Sequence, residues 1–221
     1  MKLHWSPRSP FVRKVMIVLH ETGQLENVER VRTVVALATP PGDDILKDNP
    51  LGKIPALVLD DGSCLFDSRV ICEYLDTQHS GPRLLPSEGA DRITHLRWQA
   101  FGDGVTDIAL LFRFEYLRDH ADPALLEGFE RKLRASLTAL ESEAAALAAT
   151  PFGLGHISIA CMLGQLDLRF AQSNWRLAAP RLADWYAGIS QRPSLVATAA
   201  KDDAPPAAKD STSLINFMQK S

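Results

Sequence analysis

The sequence predicts two parts: a small α/β domain over residues 1–80 and an all-α helical-bundle domain over residues 87–200, followed by a tail at 201–221. Strand and helix signals alternate in the first eighty residues, whereas strand signals are missing from the rest. A stretch containing Gly and Pro at 81–86 separates the two patterns and is the expected linker. A chain of 221 residues is long enough for both parts to bury a core.

The N-terminal part opens with a predicted strand over Met1–Trp5 and a helix behind it. Ser9 and Pro10 begin the helix, because serine is a favoured N-cap and proline is favoured at the first helical position. Gly23 is the expected stop. Between these limits apolar residues recur at helical spacing, namely Phe11, Val12, Val15, Met16 and Leu19.

A second strand and an irregular segment follow. The run Val28–Val35 is rich in β-branched residues, which favours a strand. Residues 36–49 contain two prolines and a glycine, and they predict mostly loop with one short helical turn near Ile45. Residues 49–53 then have the composition of a tight turn.

A hairpin and a helix complete the α/β part. Ile54–Leu59 predicts a strand, and Asp60-Asp61-Gly62 predicts a tight turn that returns the chain through Cys64–Phe66. Asp67 and Ser68 then begin a helix whose expected buried face is Val70, Ile71, Tyr74 and Leu75.

Four helices are predicted in the second part. Ala90–Asp119 is a long helix with an expected bend at its two central glycines, and Pro123–Ala149 is the next. Ile157–Phe170 is apolar around most of its circumference, which is typical of a central buried helix. Pro180–Gln191 is the last. The tail from Lys201 is poor in apolar residues at first, and we expect it to be poorly fixed.

Composition excludes several classes of protein. Lys and Arg number 24 against 27 Asp and Glu, a formal net charge of −3 that argues against a nucleic-acid surface. No apolar run reaches the ~18 residues of a membrane span, and the first ten residues lack the apolar core of a secretory signal. Three cysteines without C-x-x-C spacing argue against disulfides or a thiolate metal site. We therefore expect a cytoplasmic protein without a metal.

Three motifs in this order resemble the glutathione S-transferase family. They are Ser-Pro-Phe-Val-Arg-Lys at 9–14, Asn-Pro-Leu-Gly-Lys-Ile-Pro at 49–55, and Asp-Ser at 67–68. The resemblance extends over roughly residues 1–200. It implies a thioredoxin-like N-terminal domain, glutathione as the thiol co-substrate, and a homodimer.

The resemblance implies that Ser9 is the catalytic residue and that Phe11 lies beside it in the glutathione site. A thiol at a helix N-terminus ionises more readily than the usual pKa of about 8.5 allows, because the free N–H groups of the first turn favour an anion. In this interpretation Ser9 donates a hydrogen bond to the thiolate and does not itself deprotonate. The alternative is that Ser9 serves only as an N-cap.

The other two motifs are expected to hold the rest of glutathione. Pro55 resembles the family's cis-proline, which leaves the Ile54 N–H and C=O free to pair with the cysteinyl backbone. Asp67 and Ser68 resemble the acidic-Ser pair that holds the γ-glutamyl end. The alternative is that these two residues only cap the helix, and the two roles can also be combined. Lys53 either reaches the glycyl carboxylate or is solvated.

Several charged residues have two interpretations on sequence alone. Arg8, Arg13 and Lys14 are expected to add positive potential at the mouth of the site, although the spacing of Arg13 and Lys14 equally fits a solvated helix face. Asp103 and Asp107 lie one helical turn apart and either line the pocket of the second substrate or face solvent.

The sequence departs from the family pattern in two places. No Tyr or Cys stands near Ser9, which argues against the Tyr-type and Cys-type members, and Cys64, Cys72 and Cys161 are expected to be structural. The family usually has a Ser/Thr-x-x-Asp capping box at the start of the central helix of its second domain. This chain has Gly-His-Ile-Ser at 155–158, so we expect the reciprocal hydrogen bonds to be lost.

These observations predict a dimeric, Ser-type glutathione transferase that attacks an electrophilic small molecule. One alternative is a non-catalytic glutathione-binding or regulatory protein of the same fold. Another is a glutathione-dependent isomerase, lyase or dehalogenase, which shares the thiol site and differs only in the second pocket. The expected dimer also rests on the helix at 90–119, which carries more apolar residues than one core-facing stripe needs.

Overall fold

A computed structural model describes residues 1–37, 39–203 and 209–219. Its sheet has four strands, β1 (Lys2–Trp5), β2 (Glu29–Arg32), β3 (Ala56–Val58) and β4 (Cys64–Leu65). They lie in the order β2-β1-β3-β4, with β1 and β2 parallel and the other neighbours antiparallel. This is a parallel crossover followed by a hairpin, as the sequence predicts.

Helices pack beside this sheet and then form the whole of the second domain. Those of the first domain are α1 (Pro10–Glu21), α2 (Asp43–Asp48) and α3 (Ser68–Thr77). Those of the second are α4 (Gly89–Leu117), α5 (Pro123–Ala149), α6 (Leu154–Arg169), α7 (Trp175–Ala178), α8 (Pro180–Ile189) and α9 (Pro193–Ala197). The predicted fold class, an α/β thioredoxin-like domain followed by an all-helical domain, is confirmed.

Helix α6 lies at the centre of the molecule, as its apolar sequence predicts. It packs against α4 in its own domain and against α1 in the first domain. Gly102 makes the first of these contacts close, since a Cβ there would lie 2.7 Å from the Ser158 carbonyl carbon. Gly102 thus allows close helix packing, and α4 runs through both central glycines without interruption.

The buried face of α3 differs from the prediction at one residue. Ile71 and Leu75 are fully buried, together with Cys72, whereas Val70 is 48% exposed. Each residue turns a helix by about 100°, so Val70 lies to one side of the stripe that Ile71, Cys72 and Leu75 form. The apolar side chain of Val70 is therefore not part of the core.

Hydrogen bonds fix both the linker and the described part of the tail that we expected to be poorly fixed. In the linker, the buried Asp76 carboxylate accepts the Leu84 and Leu85 N–H groups at 2.7 and 3.1 Å. In the tail, Ile215 is buried, and the Phe217 N–H donates to Ser173 at 2.8 Å. The expectation of a poorly fixed tail is therefore wrong for residues 209–219, and its 204–208 segment lies outside the described residues. No helix in the described ranges is long and apolar enough to cross a membrane.

Candidate active site

The register of the sheet brings the three sequence motifs to one edge. His4 on β1 lies opposite Ala56 on β3, and Leu57 on β3 lies opposite Leu65 on β4. Since β1 and β4 run toward this edge and β3 runs away from it, the ends of β1 and β4 meet the start of β3. The segments that follow or precede these ends carry Ser9, Pro55 and Ser68.

Ser9 is the N-cap of α1 in an extended backbone conformation. Its half-buried side-chain oxygen accepts the Val12 N–H at 3.3 Å. A hydroxyl has one proton to donate, and no residue in the described part of the chain accepts it. The Ser9 hydroxyl can therefore cap the helix and still donate to an anion above the first turn.

The N–H and C=O of the Ile54 backbone have no hydrogen-bond partner among the described residues. The Ile54–Pro55 peptide bond is cis, as the family resemblance implies. The buried Asn49 holds the preceding turn by donating to the Lys53 carbonyl at 2.8 Å. The Lys53 side chain itself is exposed.

Gly52 gives this turn its shape. Its φ is +60°, and a Cβ there would lie 2.7 Å from the Pro41 ring. A side chain at this position would therefore meet both an unfavourable backbone conformation and a neighbouring residue.

Asp67 and Ser68 begin α3, and Arg69 binds the Asp67 carboxylate. Asp67 is the N-cap and accepts the Arg69 N–H at 2.9 Å, while the Arg69 guanidinium donates to it at 3.1 and 3.3 Å. Partial burial raises the pKa of Asp67, but these bonds outweigh it and hold that pKa below its usual range. The carboxylate is therefore anionic and still partly open to solvent.

A buried polar network connects this edge to the helices. Lys14 on α1 is 1% exposed and donates to the Asp103 carboxylate of α4 at 2.6 and 2.9 Å. The Ser158 hydroxyl of α6 donates to Asp103 at 2.7 Å, and Arg69 Nε lies 3.8 Å from it. Neither the solvated-face nor the mouth interpretation of Lys14 is right, because the residue is an anchor between domains. The same contact places Asp103 in the interior.

Arg13 is a second buried anchor on α1. Its guanidinium donates to the Leu195 carbonyl at 3.3 Å and lies over Gly164 of α6. A Cβ on Gly164 would lie only 2.2 Å from Arg13 Nη1, so the absence of a side chain there makes room for the cation. The two interpretations offered for Arg13 are therefore also wrong.

Asp107 lies one turn beyond Asp103 and remains exposed. Partial desolvation raises the pKa of its carboxyl, with Lys53 acting in the opposite sense and Asp103 adding to the rise. The charge of Lys53 therefore acts on Asp107, which relates this face of α4 to the turn beside Ile54. Asp107 therefore faces solvent, as one of the two interpretations predicts. Its role in the pocket of the second substrate stays a prediction.

The three cysteines are poor nucleophiles. Burial raises the pKa of Cys72 to about 12 and that of Cys161 to about 11, and it also raises the pKa of Cys64. All three are free thiols. In the part of the chain described, no group of three or more His, Cys, Asp or Glu side chains is arranged to hold a metal ion.

Comparison with known proteins decides the family. The model of the glutathione S-transferase N-terminal domain matches residues 8–78, and that of the C-terminal domain matches residues 123–188. The chain belongs to the glutathione S-transferase family. The first match contains all three motifs of the candidate site.

Relatives of this glutathione S-transferase family member match it over nearly its whole length. The uncharacterized GST-like protein YibF of Escherichia coli K12 is 31% identical over 206 residues, 90% of this chain and 98% of YibF. A glutathione transferase family member from Pseudomonas fluorescens Pf-5, solved with bound glutathione, is 44% identical with a TM-score of 0.85, covering 91% of this chain and 99% of that one. A structure of that family member with bound S-(propanoic acid)-glutathione is 43% identical with a TM-score of 0.81, and the match covers 91% of this chain and 100% of that one.

Two contributors to the site were missed by sequence reasoning. Arg69 binds Asp67, and Ser158 binds Asp103. A signal for Arg69 is available, since an N-cap carboxylate two residues before an arginine favours a local ion pair. Ser158 gives no such signal, because its partner lies 55 residues away in the sequence.

Proposed function

We propose that this protein is a glutathione transferase in which the Ser9 hydroxyl stabilises the thiolate of bound glutathione. One observation carries the proposal. Two groups that lack hydrogen-bond partners among the described residues, the Ile54 backbone and the Ser9 O–H, lie at the same edge of the sheet. A peptide that pairs with Ile54 like an added strand presents its cysteinyl side chain toward the N-terminus of α1. Glutathione bound in the Pseudomonas fluorescens relative supports this ligand.

The rest of the peptide is held by charge. The buried Ser68 at the start of α3 and the anionic Asp67 suit the carboxylate and the ammonium of the γ-glutamyl end. Lys53 is exposed and suits the glycyl carboxylate. Phe11, half-buried on the first turn of α1, contacts the ligand beside Ser9.

Thiolate formation follows from the position of Ser9. The helix N-terminus and the Ser9 hydroxyl both favour the anion over the thiol, and thus lower the pKa of the bound sulfur. Lys14 and Arg13 hold α1 against α4 and α6, which keeps the hydroxyl in place. The thiolate then attacks an electrophilic carbon, forming a C–S bond as the leaving group departs with its electron pair.

The experiment has two steps on one sample of the full chain. Calorimetry with glutathione tests binding, with Ser68→Ala as a variant expected to weaken it and Ser142→Ala, on the exposed face of α5, as the matched control. A panel containing an aryl halide, an epoxide, an α-haloacid and an isomerisable enone then tests turnover. Absence of glutathione binding at millimolar concentration overturns the proposal. Binding without turnover of any member supports the non-catalytic alternative instead.

A further inference from the structure

Four arginines from separate parts of the fold contact the tail, three of them just before residues 204–208 and one just after. They are Arg8 in the loop before Ser9, Arg32 at the end of β2, Arg113 on α4 and Arg169 at the end of α6. The tail groups that they contact are Asp202, Asp203 and Ser211. We call these four residues the arginine rim.

One half of the rim lies directly beside Ser9. Asp203 forms ion pairs with Arg8 (Nε to Oδ1, 3.0 Å) and with Arg32 (Nη2 to Oδ2, 2.7 Å), so one carboxylate serves two cations. The Lys201 N–H donates to the Pro7 carbonyl at 3.2 Å, which holds this part of the tail against the same loop. Charge near Ser9 on this side is therefore positive in excess.

The other half of the rim lies between α4, α6 and the tail. Arg169 pairs with Asp202, and Arg113 Nε donates to the buried Ser211 hydroxyl at 2.9 Å. Arg113 is half-buried, and within the described ranges no carboxylate bonds to its guanidinium. Partial burial lowers the pKa of Arg113, and the neighbouring Arg169 lowers it further, while Asp202 opposes both. An added anion would relieve this repulsion.

The rim begins on the side of Ser9 that the glutathione peptide is expected to leave open, because Arg32 ends β2, which flanks β1 on the side away from β3 and β4. The glutathione peptide is expected to run along Asp67, Ser68 and Ile54, on the side of β3 and β4. Arg8 lies one residue before Ser9 and shares Asp203 with Arg32. Arg113 is connected to the same part of the tail, because the Ser211 hydroxyl that it binds donates to the Arg169 carbonyl, and Arg169 pairs with Asp202 next to Asp203. We expect an electrophile that reaches the sulfur from this side to meet these cations.

We propose that the arginine rim selects electrophiles that carry a carboxylate, with Arg113 and Arg8 as the binding cations and Asp203 as an internal carboxylate that competes for Arg8. This inference rests on the proposed transferase activity and adds the class of its second substrate. Net charge supports it, since four guanidinium groups face two carboxylates among the described residues. Guanidinium groups bind carboxylates well because they offer two parallel N–H donors.

The test compares 4-chloro-3,5-dinitrobenzoate with its methyl ester in the glutathione reaction. In both, the thiolate sulfur bonds to the ring carbon and chloride leaves, while the thiol proton passes to solvent. Each kcat/KM is divided by the rate constant of the uncatalysed reaction, which removes the intrinsic reactivity of the ring. We expect the corrected ratio of acid to ester to be about 10 or more, the value of one charge-assisted hydrogen bond, and to fall as salt is added.

Variants of the rim and of Asp203 should change the corrected ratio of acid to ester in opposite directions. Arg113→Gln and Arg8→Gln should each lower it toward 1, whereas Asp203→Asn should raise it by freeing Arg8. Arg131→Gln, at an exposed position of α5, makes the same change in net charge and should leave the ratio unaltered. If Arg113→Gln unfolds, the opposite shifts of the loop variant Arg8→Gln and the tail variant Asp203→Asn still decide the matter.

A binding measurement separates the two proposals. Calorimetry compares S-(4-carboxybenzyl)glutathione with S-benzylglutathione, and this comparison does not depend on turnover. Tighter binding of the carboxylate in the native chain, lost in Arg113→Gln, supports the rim. Equal binding of the two thioethers, together with equal corrected rates in native and variant chains, overturns the rim and leaves the transferase proposal intact. Failure to bind either thioether or glutathione overturns both.

Discussion

Ser9 shows how one side chain stabilises the fold and remains available for chemistry. As an N-cap it satisfies one orphan N–H of α1, and its proton is left for a ligand. A hydrogen bond to a charged sulfur contributes about 1.5–3 kcal/mol. We therefore expect Ser9→Ala to lower kcat with an aryl halide by about 10- to 100-fold and to change glutathione affinity far less. Steady-state kinetics and calorimetry on both proteins measure the two effects.

A control separates the lost cap from the lost hydrogen bond. Loss of the cap costs about 1 kcal/mol in folding, which thermal unfolding reports. Ser9→Thr keeps both the cap and the hydroxyl and should recover most of the turnover. Equal kcat values for Ser9→Ala and the native protein would contradict the role assigned to this hydroxyl.

The Lys14–Asp103 pair is the costliest single contact to break. Removing one partner leaves an uncompensated buried charge, so Lys14→Met or Asp103→Asn should each lower the free energy of unfolding by about 3–5 kcal/mol. The double variant should lose less than the sum of the two, because it leaves no unpaired charge. Urea unfolding of the three variants gives the coupling energy. Additive losses would show that the two residues do not act as a pair.

At the scale of the element, the N-terminus of α6 depends on a neutral histidine. The cap is Gly153 rather than Gly155, and His156 Nδ1 accepts the Gly153 N–H at 3.1 Å. Nε2 must then carry the proton that bonds to the Leu147 carbonyl at 3.1 Å. The expected loss of reciprocal bonds is therefore only partly right, since the side chain at the third helical position still bonds back to the cap.

This arrangement predicts a dependence of stability on pH. Burial lowers the pKa of His156 to about 4, below the usual 6.5, although the bond to Leu147 acts in the opposite sense. Between these two pH values the unfolded chain binds a proton that the folded chain does not, so stability should fall as pH falls from 6.5 to 4. The full loss is about 3 kcal/mol. Urea unfolding at pH 7 and pH 5 should show about 2 kcal/mol of this loss, because the rest develops below pH 5.

A matched pair of variants tests the origin of this slope. His156→Gln should remove most of it, whereas His120→Gln, at an exposed position, should leave it unchanged. His95 also has a pKa lowered by burial, and it accepts the Gly155 N–H at 3.3 Å. Part of the pH dependence of stability should therefore remain in His156→Gln. A native protein equally stable at pH 7 and pH 5 would contradict the assignment of the neutral form.

Elements with strong end signals are predicted well from sequence, and short ones are not. Pro123–Ala149 is predicted residue for residue, because Asp122 caps it and Pro123 opens it. The strand Val28–Val35 shortens to Glu29–Arg32, since an edge strand pairs on one side only and exposes most of its residues. Helices α7 and α9 have four and five residues, too few to show a period.

The candidate site divides in the same way. Ser9, Ile54, Pro55, Asp67 and Ser68 are brought to one edge because each follows or precedes a strand that the sequence marks. Lys14 and Asp103 lie 89 residues apart, and nothing local distinguishes a lysine that meets a buried carboxylate from one on a wet helix face. Burial of charge depends on the packing of α1 against α4 and α6, which periodicity does not specify.

At the scale of the whole molecule, the exposed apolar residues favour a two-fold dimer. Trp98 and Phe112 of the apolar α4 belong to the chain's own core, which removes part of the reason drawn from sequence. The apolar residues that favour a dimer are instead Val70 and Ile93, which are 48% and 64% exposed. The Arg92–Glu73 ion pair at 2.6 Å joins α4 to α3 next to these residues, and Val70 lies one turn from Glu73.

We expect light scattering at micromolar concentration to give about twice the chain mass of 24.3 kDa. The double variant Val70→Glu with Ile93→Glu should give the monomer mass, because charges on an apolar interface are left without partners. Leu177→Glu, on another exposed apolar residue, is the control and should remain dimeric. A native monomer that binds glutathione would contradict the expected assembly.

Ionisation of the glutathione thiol by Ser9 and the N-terminus of α1 can be measured as the pKa of the bound sulfur. Thiolate absorbance in the ultraviolet is followed against pH for glutathione in complex with the native chain and with Ser9→Ala. We expect a pKa for the native complex well below the free value of about 8.5, and a clear rise toward that value in the variant. A bound thiol with the same pKa in both complexes, or with the free value in the native complex, would contradict it.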